Sequence, residues 1–395
     1  MAGFYNQHLF SAIDLIESYS FQQPFALFLK NYFKRDKKFG SRDRKNIAEL
    51  CYGYMRLGKS AMDLTIKDQI IIGYYLTHPH DNGLLERFSP ALLGSIHQSL
   101  ESKLEITSQL FATFDVQSIF PFRQLLSSNL DDYLFGISHL QKPLFFIKIR
   151  NKQFANVANM LKDRGISFQT FGEETLGFEQ HIHLDELFKI DEEVVVQDIS
   201  SQQTITLLDE HAISGLSLWD ACAGSGGKSI LASDRFHFSS HYVSDIRSAI
   251  LEELTKRLTN ARLTVNDAFC VDLTNSLSIQ VAKSHLPSEG VELIIADVPC
   301  SGSGTWGRSP EWLRSFNVND VNAYQQKQIQ ILENLLPFVR KGGYLLYITC
   351  SVFKKENEDV IDSIVQSHAV KVVQQKYLIG YPNRGDQMFA TLITL

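Results

Sequence analysis

From Glu193 to the end of the chain, short apolar runs alternate with amphipathic stretches, and this alternation constrains the fold more than any other feature. Strand followed by helix, repeated along a chain, requires a mostly parallel sheet with helices on both faces. Ligands of such sheets bind outside the carboxyl ends of the strands, so polar clusters at several strand ends should share one crevice. The predicted strands are Ser217–Trp219, His241–Val243, Leu263–Val265, Glu292–Ala296 and Tyr344–Ile348.

The chain before this region has a different pattern. From Phe4 to about Leu110, apolar residues recur three or four positions apart, which predicts helices. Strand-like runs at 144–150 and 166–171 flank a helical stretch, which predicts a small α/β module. Because 395 residues exceed the size of a single hydrophobic core, we predict three domains. They are a helical domain (1–114), a small α/β module of the RRM or ferredoxin-like kind (115–190) and an α/β domain (191–395).

Composition limits the function classes. No apolar run approaches the roughly 20 residues that span a bilayer, and Met1–His8 lacks the features of a secretory signal. We therefore expect a cytosolic protein without a membrane partner. Five cysteines without C-x-x-C pairs or nearby paired histidines argue against both disulfides and a metal site. A net charge of −6 is unfavourable for nucleic-acid binding, but residues 34–45 are strongly basic. That segment is either a solvated turn or an RNA contact.

A glycine-rich turn follows the first predicted strand of the α/β domain. Strand, glycine turn and helix together bring a ligand close to backbone amides at a helix N-terminus, which suits a cofactor containing a nucleoside. A P-loop would require glycine where Cys222 stands, and a dinucleotide fold would require glycine at Ser229. The residues expected to hold the cofactor here are Cys222, Ala223, Gly224, Ser225, Gly226, Gly227 and Lys228.

Asp245 ends the second predicted strand, about twenty residues further on. A carboxylate at this place can accept hydrogen bonds from both ribose hydroxyls. Asp245 could instead cap a helix, but its position at a strand end favours the cofactor site.

Two cysteines follow two other strands of the same sheet: Cys300 lies in Asp297-Val298-Pro299-Cys300, and Cys350 in Thr349-Cys350-Ser351. A thiolate that adds to carbon 6 of cytosine makes carbon 5 electron-rich enough to accept a methyl group, which splits one difficult step into two. A reactive thiol must be partly ionised, so the site should supply positive potential, for which Lys228 is a candidate.

These motifs together resemble those of the NOP/Sun-type RNA cytosine-5 methyltransferases, in particular the bacterial RsmB branch that acts on 16S ribosomal RNA. The resemblance is carried by 222–228, by 297–304, and by Thr349-Cys350-Ser351 with Glu356-Asn357-Glu358. It implies a Rossmann-like class I methyltransferase domain after a NusB-like helical domain. It also implies S-adenosylmethionine as the cofactor and unpaired or extruded cytosine in RNA as the substrate.

The resemblance assigns roles to single residues. Cys350 is expected to attack carbon 6, Cys300 to assist loss of the carbon 5 proton and release of the enzyme, and Asp297 to contact cytosine at the border of the cofactor site. Asp267 is the expected third acid of that site, with Asp272 as the alternative. Ser225 replaces a proline usual in the family, so we expect a looser turn.

Two other interpretations stay open. A NusB-like RNA-binding factor could carry a relic methyltransferase domain, although both thiols and the two acids are present. A DNA cytosine methyltransferase would use a proline-cysteine pair such as Pro299-Cys300, but Thr349-Cys350-Ser351 and the helical first domain favour RNA.

Overall fold

The computed structural model of the chain describes residues 2–35, 38–151 and 153–395. The amino-terminal part is helical, as predicted, and fits a NusB-like domain. Its helices bury one continuous core of aliphatic and aromatic side chains. They are α1 (Ala2–Ser18), α2 (Phe25–Arg35), α3 (Ser41–Arg56), α4 (Ile66–Thr77), α5 (Leu84–Phe88), α6 (Pro90–Leu93), α7 (Leu100–Leu110) and α8 (Asp132–Ser138).

A small antiparallel sheet follows, in the strand order β2-β3-β1-β4. Its chain order, strand, helix, two strands, a short turn and a last strand, is that of a ferredoxin-like module whose second helix is reduced to a turn. The helix α9 covers one face of the sheet through Val157 and Leu161. The elements are β1 (Phe145–Ile149), α9 (Phe154–Asp163), β2 (Gln169–Phe171), β3 (Thr175–Phe178) and β4 (Val194–Val196).

The rest of the chain forms a seven-stranded sheet in the order β10-β11-β9-β8-β5-β6-β7. Strands β5 to β9 are parallel to one another. Strand β11 is antiparallel to both of its neighbours, β9 and β10, so β10 runs in the same direction as the parallel strands. This is the mostly parallel, Rossmann-like sheet that the alternating pattern predicts. The elements are α10 (Ile199–Gln203), β5 (Ser217–Asp220), α11 (Gly227–Arg235), β6 (Ser240–Asp245), α12 (Ser248–Asn260), β7 (Asp267–Cys270), α13 (Ser276–His285), β8 (Val291–Asp297), α14 (Trp312–Ser315), α15 (Asp320–Leu335), β9 (Val339–Thr349), α16 (Glu358–Ser367), β10 (Lys371–Ile379) and β11 (Gln387–Thr394).

Neighbouring residues of the central strands enter different cores, as the alternation of side chains in a strand requires. Trp219 belongs to a core with α13, α15 and α16. Leu218 belongs to a core on the other face, which includes Leu231 of α11. Both faces of the sheet are therefore covered, which explains why its strands are apolar throughout.

The strand predicted at Leu263–Val265 is wrong, because β7 begins four residues later, at Asp267. Arg262, two residues after the end of α12, has the left-handed conformation, with φ 59°. The Leu263 amide then bonds back to the Leu258 carbonyl at 2.9 Å. Leu263 and Val265 are apolar because they pack against the end of this helix, and not because they belong to a strand.

The compact units of the structure are divided differently from the three predicted domains, whose boundaries stay a prediction. One unit contains residues 1–126, 130–142 and 305–318, and the other contains 127–129, 143–304 and 319–395. The small sheet thus shares a unit with the large one.

Segment 305–318, which follows β8 in the chain, has its own anchors within the helical unit. Trp306 is buried, with its ring centroid 6.0 Å from that of Phe120. The Glu311 carboxylate accepts a hydrogen bond from the Phe25 amide at 2.9 Å. Arg314 lies over the Tyr54 ring at 4.0 Å. Among the described helices, none is long and apolar enough to cross a membrane.

The crossing of α3 and α4 provides a test of the helical core. A Cβ atom added at Gly73 would lie 2.4 Å from the Gly53 carbonyl carbon. We expect Gly73→Ala to destabilise the protein by about 1–3 kcal/mol, because overpacking outweighs the higher helix propensity of alanine. Chemical denaturation measures this change. Gly94→Ala is the control, since no atom lies within 4 Å of its added Cβ; equal stabilities of the two variants would contradict the prediction.

Candidate active site

The polar clusters predicted at the strand ends lie at one edge of the large sheet. Strands β5, β6, β8 and β9 run parallel, so the segments after them leave from the same carboxyl edge. The glycine turn follows β5, Asp245 ends β6, Asp297 ends β8, and Cys350 follows β9. The topology therefore brings together most of the residues predicted for the site.

The glycine turn has the conformation that its composition requires. Gly224 and Gly226 have φ values of 53° and 90°, in the left-handed region that favours glycine. A Cβ atom at Gly226 would also lie 2.6 Å from a methyl group of Leu254. Because α11 begins directly after the turn, at Gly227, the free amides of its first turn lie next to the loop.

Asp245 is fixed by the loop and by the residue two positions after it. Its Oδ2 accepts the Gly224 amide at 3.0 Å, and its Oδ1 accepts the backbone amide and Nε of Arg247, each at 3.0 Å. Burial alone would raise the pKa of Asp245, but the hydrogen bonds and charge of Arg247 and the Gly224 amide outweigh burial and lower it. The carboxylate is therefore ionised at neutral pH and can accept hydrogen bonds from a ribose.

A cavity of about 400 Å³ opens between the glycine turn and the ends of β6, β7 and β8. This volume lies in the usual range for small-molecule sites. Three carboxylates, two cationic side chains and several aliphatic side chains line it, so the carboxylates are in excess and a flat base can pack against aliphatic groups. Its lining is Ala221, Cys222, Asp245, Ile246, Arg247, Val271, Asp272, Leu273, Thr274, Asp297, Val298, Pro299, Lys327 and Ile331.

The third acid needs a correction. Asp267 is the first residue of β7, at the amino end of a parallel strand, and it binds His285 with 2.7 Å between Oδ2 and Nδ1. It does not line the cavity. Asp272 follows the carboxyl end of β7 and does line it. The misplaced strand prediction caused this error, because a strand ending at Val265 would have put Asp267 at the carboxyl edge. We therefore replace Asp267 by Asp272 in the proposed site.

Lys228 lies beneath Asp297 and does not contact the thiols. Its Nζ is 2.9 Å from Asp297 Oδ2 and donates to Ser201 Oγ at 2.8 Å. Within the described part of the chain, no hydrogen bond or ion pair joins Lys228 to either sulfur atom. Its positive charge therefore acts first on Asp297, whose carboxylate it holds at the border of the cavity.

The two thiols face each other across the sheet edge. The Sγ atoms of Cys300 and Cys350 are 3.3 Å apart, and either can donate the hydrogen bond. A disulfide would require about 2.05 Å, so these are two separate thiols in contact. Their loops also meet at the backbone, where the Gly304 amide donates to the Cys350 carbonyl at 2.9 Å.

One buried carboxylate joins the two thiol loops. Glu356, which is 0% exposed, accepts the Ser301 amide at 2.8 Å and the hydroxyls of Ser301 and Ser351 at 2.5 Å each. Gln328 adds a fourth hydrogen bond at 3.1 Å. Ser301 and Ser351 directly follow Cys300 and Cys350 in the chain, so this carboxylate fixes the spacing of the two sulfur atoms.

Asn357 holds the second loop from the other side. Its Oδ1 accepts the Thr349 hydroxyl at 2.6 Å, and its amide nitrogen donates to the Ser351 carbonyl at 3.0 Å. The sequence marks Glu356 and Asn357 as part of a motif but assigns them no role. The only sequence feature that could point to such a role is their position, a few residues after Cys350 and at the start of α16.

The surroundings of Cys300 keep it protonated. Its hydrogen bond to Cys350 raises its pKa most, followed by burial and by the negative charges of Cys350 and Glu356. At neutral pH, Cys300 is therefore a thiol that can donate to the sulfur of Cys350. No group of three or more metal-binding side chains occurs among the residues that the structure describes.

Comparisons with known proteins agree with this geometry. Residues 205–381 match a family described as 16S rRNA methyltransferase RsmB/F. The chain is 31% identical over 180 residues to the probable ribosomal RNA small subunit methyltransferase B of Bacillus subtilis, covering 45% of this chain and 38% of that protein. It is 29% identical over 210 residues to ribosomal RNA small subunit methyltransferase B of Yersinia pseudotuberculosis, covering 50% and 46%. The chain thus spans less than half the length of either relative.

Solved structures with the same fold extend over more of the chain. The crystal structure of PH0851 superposes with a TM-score of 0.68 and 17% identity, covering 97% of each chain. NSun6 from Pyrococcus horikoshii, solved with SFG, gives a TM-score of 0.55 and 12% identity, covering 67% of this chain and 95% of that one. At such identities, the likeness concerns the fold.

The thiol pair yields a prediction about alkylation. We expect iodoacetamide at pH 7.5 to modify Cys300 far more slowly than the exposed Cys270, because a raised pKa leaves little thiolate. The rate at Cys300 should rise as the pH increases towards that pKa. In Cys350→Ala, the hydrogen bond and the charge of Cys350 no longer raise the pKa of Cys300, so the alkylation rate of Cys300 should rise at a lower pH than in wild type. Peptide mass spectrometry measures both rates. An unchanged pH profile in Cys350→Ala would refute the coupling of the two thiols.

Proposed function

We propose that this chain, which carries an RsmB/F methyltransferase domain with S-adenosylmethionine as its cofactor, methylates carbon 5 of cytosine in small-subunit ribosomal RNA. The observation that carries the proposal is the pair of sulfur atoms 3.3 Å apart at the same sheet edge as the cofactor cavity. The names of the relatives suggest the RNA substrate.

Cys350 is the proposed nucleophile. Its sulfur adds as a thiolate to carbon 6 of cytosine, forming a carbon–sulfur bond, and the electrons of the 5,6 double bond move towards carbon 5. The resemblance of the sequence motifs gives this role to the cysteine after β9 and gives Cys300, after β8, the assisting role. Hydrogen bonding from Cys300 instead orients the sulfur of Cys350.

Asp297 is the proposed contact of the cytosine ring. It ends β8 three residues before Cys300 and borders the cofactor cavity, and Lys228 holds its carboxylate at 2.9 Å. Asp297 can bond to ring N3 when a proton lies between them, which helps the negative charge to spread from carbon 5. Lys228 is thus a positioning residue for Asp297 in this scheme.

The glycine turn, with Asp245 and Asp272, would hold S-adenosylmethionine, which would supply the methyl group to carbon 5 and leave as S-adenosylhomocysteine. Once the sulfur of Cys350 is bonded to carbon 6, it is neutral and a poor hydrogen-bond acceptor. The hydrogen bond and the charge of Cys350 then no longer raise the pKa of Cys300, while burial and the charge of Glu356 still do. In the proposed step, Cys300 then loses its proton to solvent. Its thiolate takes the proton from carbon 5, the double bond forms again, and Cys350 leaves as a thiolate.

The helical unit provides a proposed RNA contact. The basic segment 34–45 includes Lys38, whose Nζ lies 4.8 Å from the centre of the Phe39 ring. Asp36 and Lys37 of this segment lie outside the described residues. Lysine and arginine side chains clustered in this way bind phosphates. The target cytosine must be unpaired or extruded to reach the thiols.

Loss of the nucleophile gives a first test. We expect Cys350→Ala to lower methylation of ribosomal RNA by on the order of a thousandfold or more, because the variant lacks the sulfur that adds to carbon 6 and thereby activates carbon 5. Bisulfite sequencing of RNA treated with the variant, and of ribosomal RNA from cells with and without the gene, measures the effect and locates the cytosine. Cys270→Ala, at an exposed cysteine that does not itself line the cavity, is the control. Full turnover by Cys350→Ala would refute the assignment.

Loss of the second thiol should block a later step. We expect Cys300→Ala to form the bond to carbon 6 but to release RNA slowly, since no base removes the carbon 5 proton. A covalent protein–RNA complex should then accumulate as a shifted band on a denaturing gel. The matched control is the double variant C300A/C350A, which should give no such band. Absence of the band from both variants would contradict the two-thiol scheme.

A further inference from the structure

Ser225 occupies the tip of the glycine turn, where a proline would stiffen the backbone. It lies between two left-handed glycines, Gly224 and Gly226. The absence of proline predicts a looser turn. The structure instead shows Ser225 held from outside the loop, by an arginine of the helix α12.

Arg257 donates two hydrogen bonds to this one residue. Its Nη1 lies 2.9 Å from the Ser225 carbonyl oxygen and 2.8 Å from Ser225 Oγ. Gly224, the preceding residue, is held by Asp245 at 3.0 Å. Two consecutive residues of the turn are thus anchored by side chains from β6 and α12.

The other side of the guanidinium binds a carboxylate that cannot move easily. Arg257 Nη2 lies 2.7 Å from Asp191 Oδ1, and Nε lies 3.1 Å from both carboxylate oxygens. The Asp191 side chain is only 3% exposed. Its backbone amide bonds to Val194 at 2.8 Å, and its carbonyl accepts from Arg150. Asp191 therefore fixes the orientation of the Arg257 side chain.

We propose that Arg257, fixed by Asp191, is a positioning residue that shapes the glycine turn for S-adenosylmethionine and replaces the stiffness that a proline would give. The planar guanidinium is required, because its Nε and Nη2 bind the Asp191 carboxylate while its Nη1 reaches Ser225 in the loop. A lysine could neutralise Asp191 but could not also hold Ser225 by two bonds. The proposal rests on the methyltransferase function, and it concerns binding of the cofactor rather than the chemical step.

The principal test compares Arg257→Lys with wild type, using S-adenosylhomocysteine as the calorimetric probe. Lysine keeps the buried Asp191 neutralised, so the fold should survive; a thermal melt without ligand checks this. We expect Kd to rise about fivefold to tenfold, because two charge-assisted hydrogen bonds are lost. The KM for S-adenosylmethionine should rise in parallel, and kcat at saturating cofactor should change less than twofold.

The matched control is Arg262→Lys, two residues after the same helix ends. Arg262 is 74% exposed on its side chain and pairs with Glu192, away from the turn. Its Kd should equal that of wild type. Ser225→Ala, which keeps the carbonyl acceptor, should weaken binding about twofold to threefold through loss of one bond.

A rescue experiment separates positioning from general damage. Ser225 is not among the residues with positive φ, and within the described turn no backbone hydrogen bond uses its amide, so neither a left-handed backbone nor a lost hydrogen bond excludes proline there. We expect Ser225→Pro to return the Kd of Arg257→Lys to within about threefold of wild type. A merely structural defect at Asp191 would not be repaired in this way.

The outcomes distinguish this inference from the proposed function. Wild-type Kd values for both Arg257→Lys and Ser225→Ala would overturn the inference, whatever the enzyme methylates. If Arg257→Lys fails to fold, the Kd of Ser225→Ala decides: a twofold to threefold rise supports the inference, and a wild-type Kd overturns it. A protein that binds S-adenosylhomocysteine and follows the expected order of variants, but leaves cytosine unmethylated, would support the inference and refute the proposed function.

Discussion

The site depends on one buried carboxylate. Glu356 accepts hydrogen bonds from the residues that follow Cys300 and Cys350, and it thereby ties together two loops from different strands. Burial of an acid is costly unless donors surround it, and here four donors do so. The carboxylate serves twice, because its charge also raises the pKa of Cys300. Glu356 therefore helps both to position the two sulfur atoms and to raise the pKa of Cys300, for which the hydrogen bond to Cys350 and burial are the larger causes.

The parallel sheet provides the frame for this interaction. Its parallel strands β5 to β9 end at one edge, so the glycine turn, three acids and both thiols meet there although they lie far apart in the sequence, from Cys222 to Cys350. Hydrogen bonds and ion pairs from single side chains then hold each segment in place. Asp245 and Arg257 hold the glycine turn, Lys228 holds Asp297, and Glu356 holds the two loops that carry the thiols. The cofactor side and the thiol side of the edge meet at Asp297.

The sequence predicts the fold and the site well where an apolar strand is clear from its residues and the position of a polar motif after that strand is clear as well. The apolar strands β8 and β9 are each followed by a cysteine motif, and this pattern is enough to locate both thiols at the carboxyl edge of the sheet. Prediction fails at β7, because Leu263 and Val265 are apolar through packing against the end of α12 and do not form a strand. A strand predicted four residues too early places Asp267 at the carboxyl edge of the sheet, whereas it lies at the amino end of β7. The roles of Glu356 and Arg257 cannot be found in the sequence, since both act through contacts with residues distant in the chain that only the fold creates.

The central claim is that Cys350 attacks the base while Cys300 serves a later step. An RNA that carries 5-fluorocytidine at the target tests it directly. Carbon 5 then carries fluorine in place of the proton that a base would remove, so the elimination step cannot occur and the covalent complex stays trapped. Peptide mass spectrometry of that complex, formed with S-adenosylmethionine, identifies the attached residue. We expect a methylated nucleotide bonded to the sulfur of Cys350. Attachment to Cys300, or the absence of any covalent complex, would contradict it.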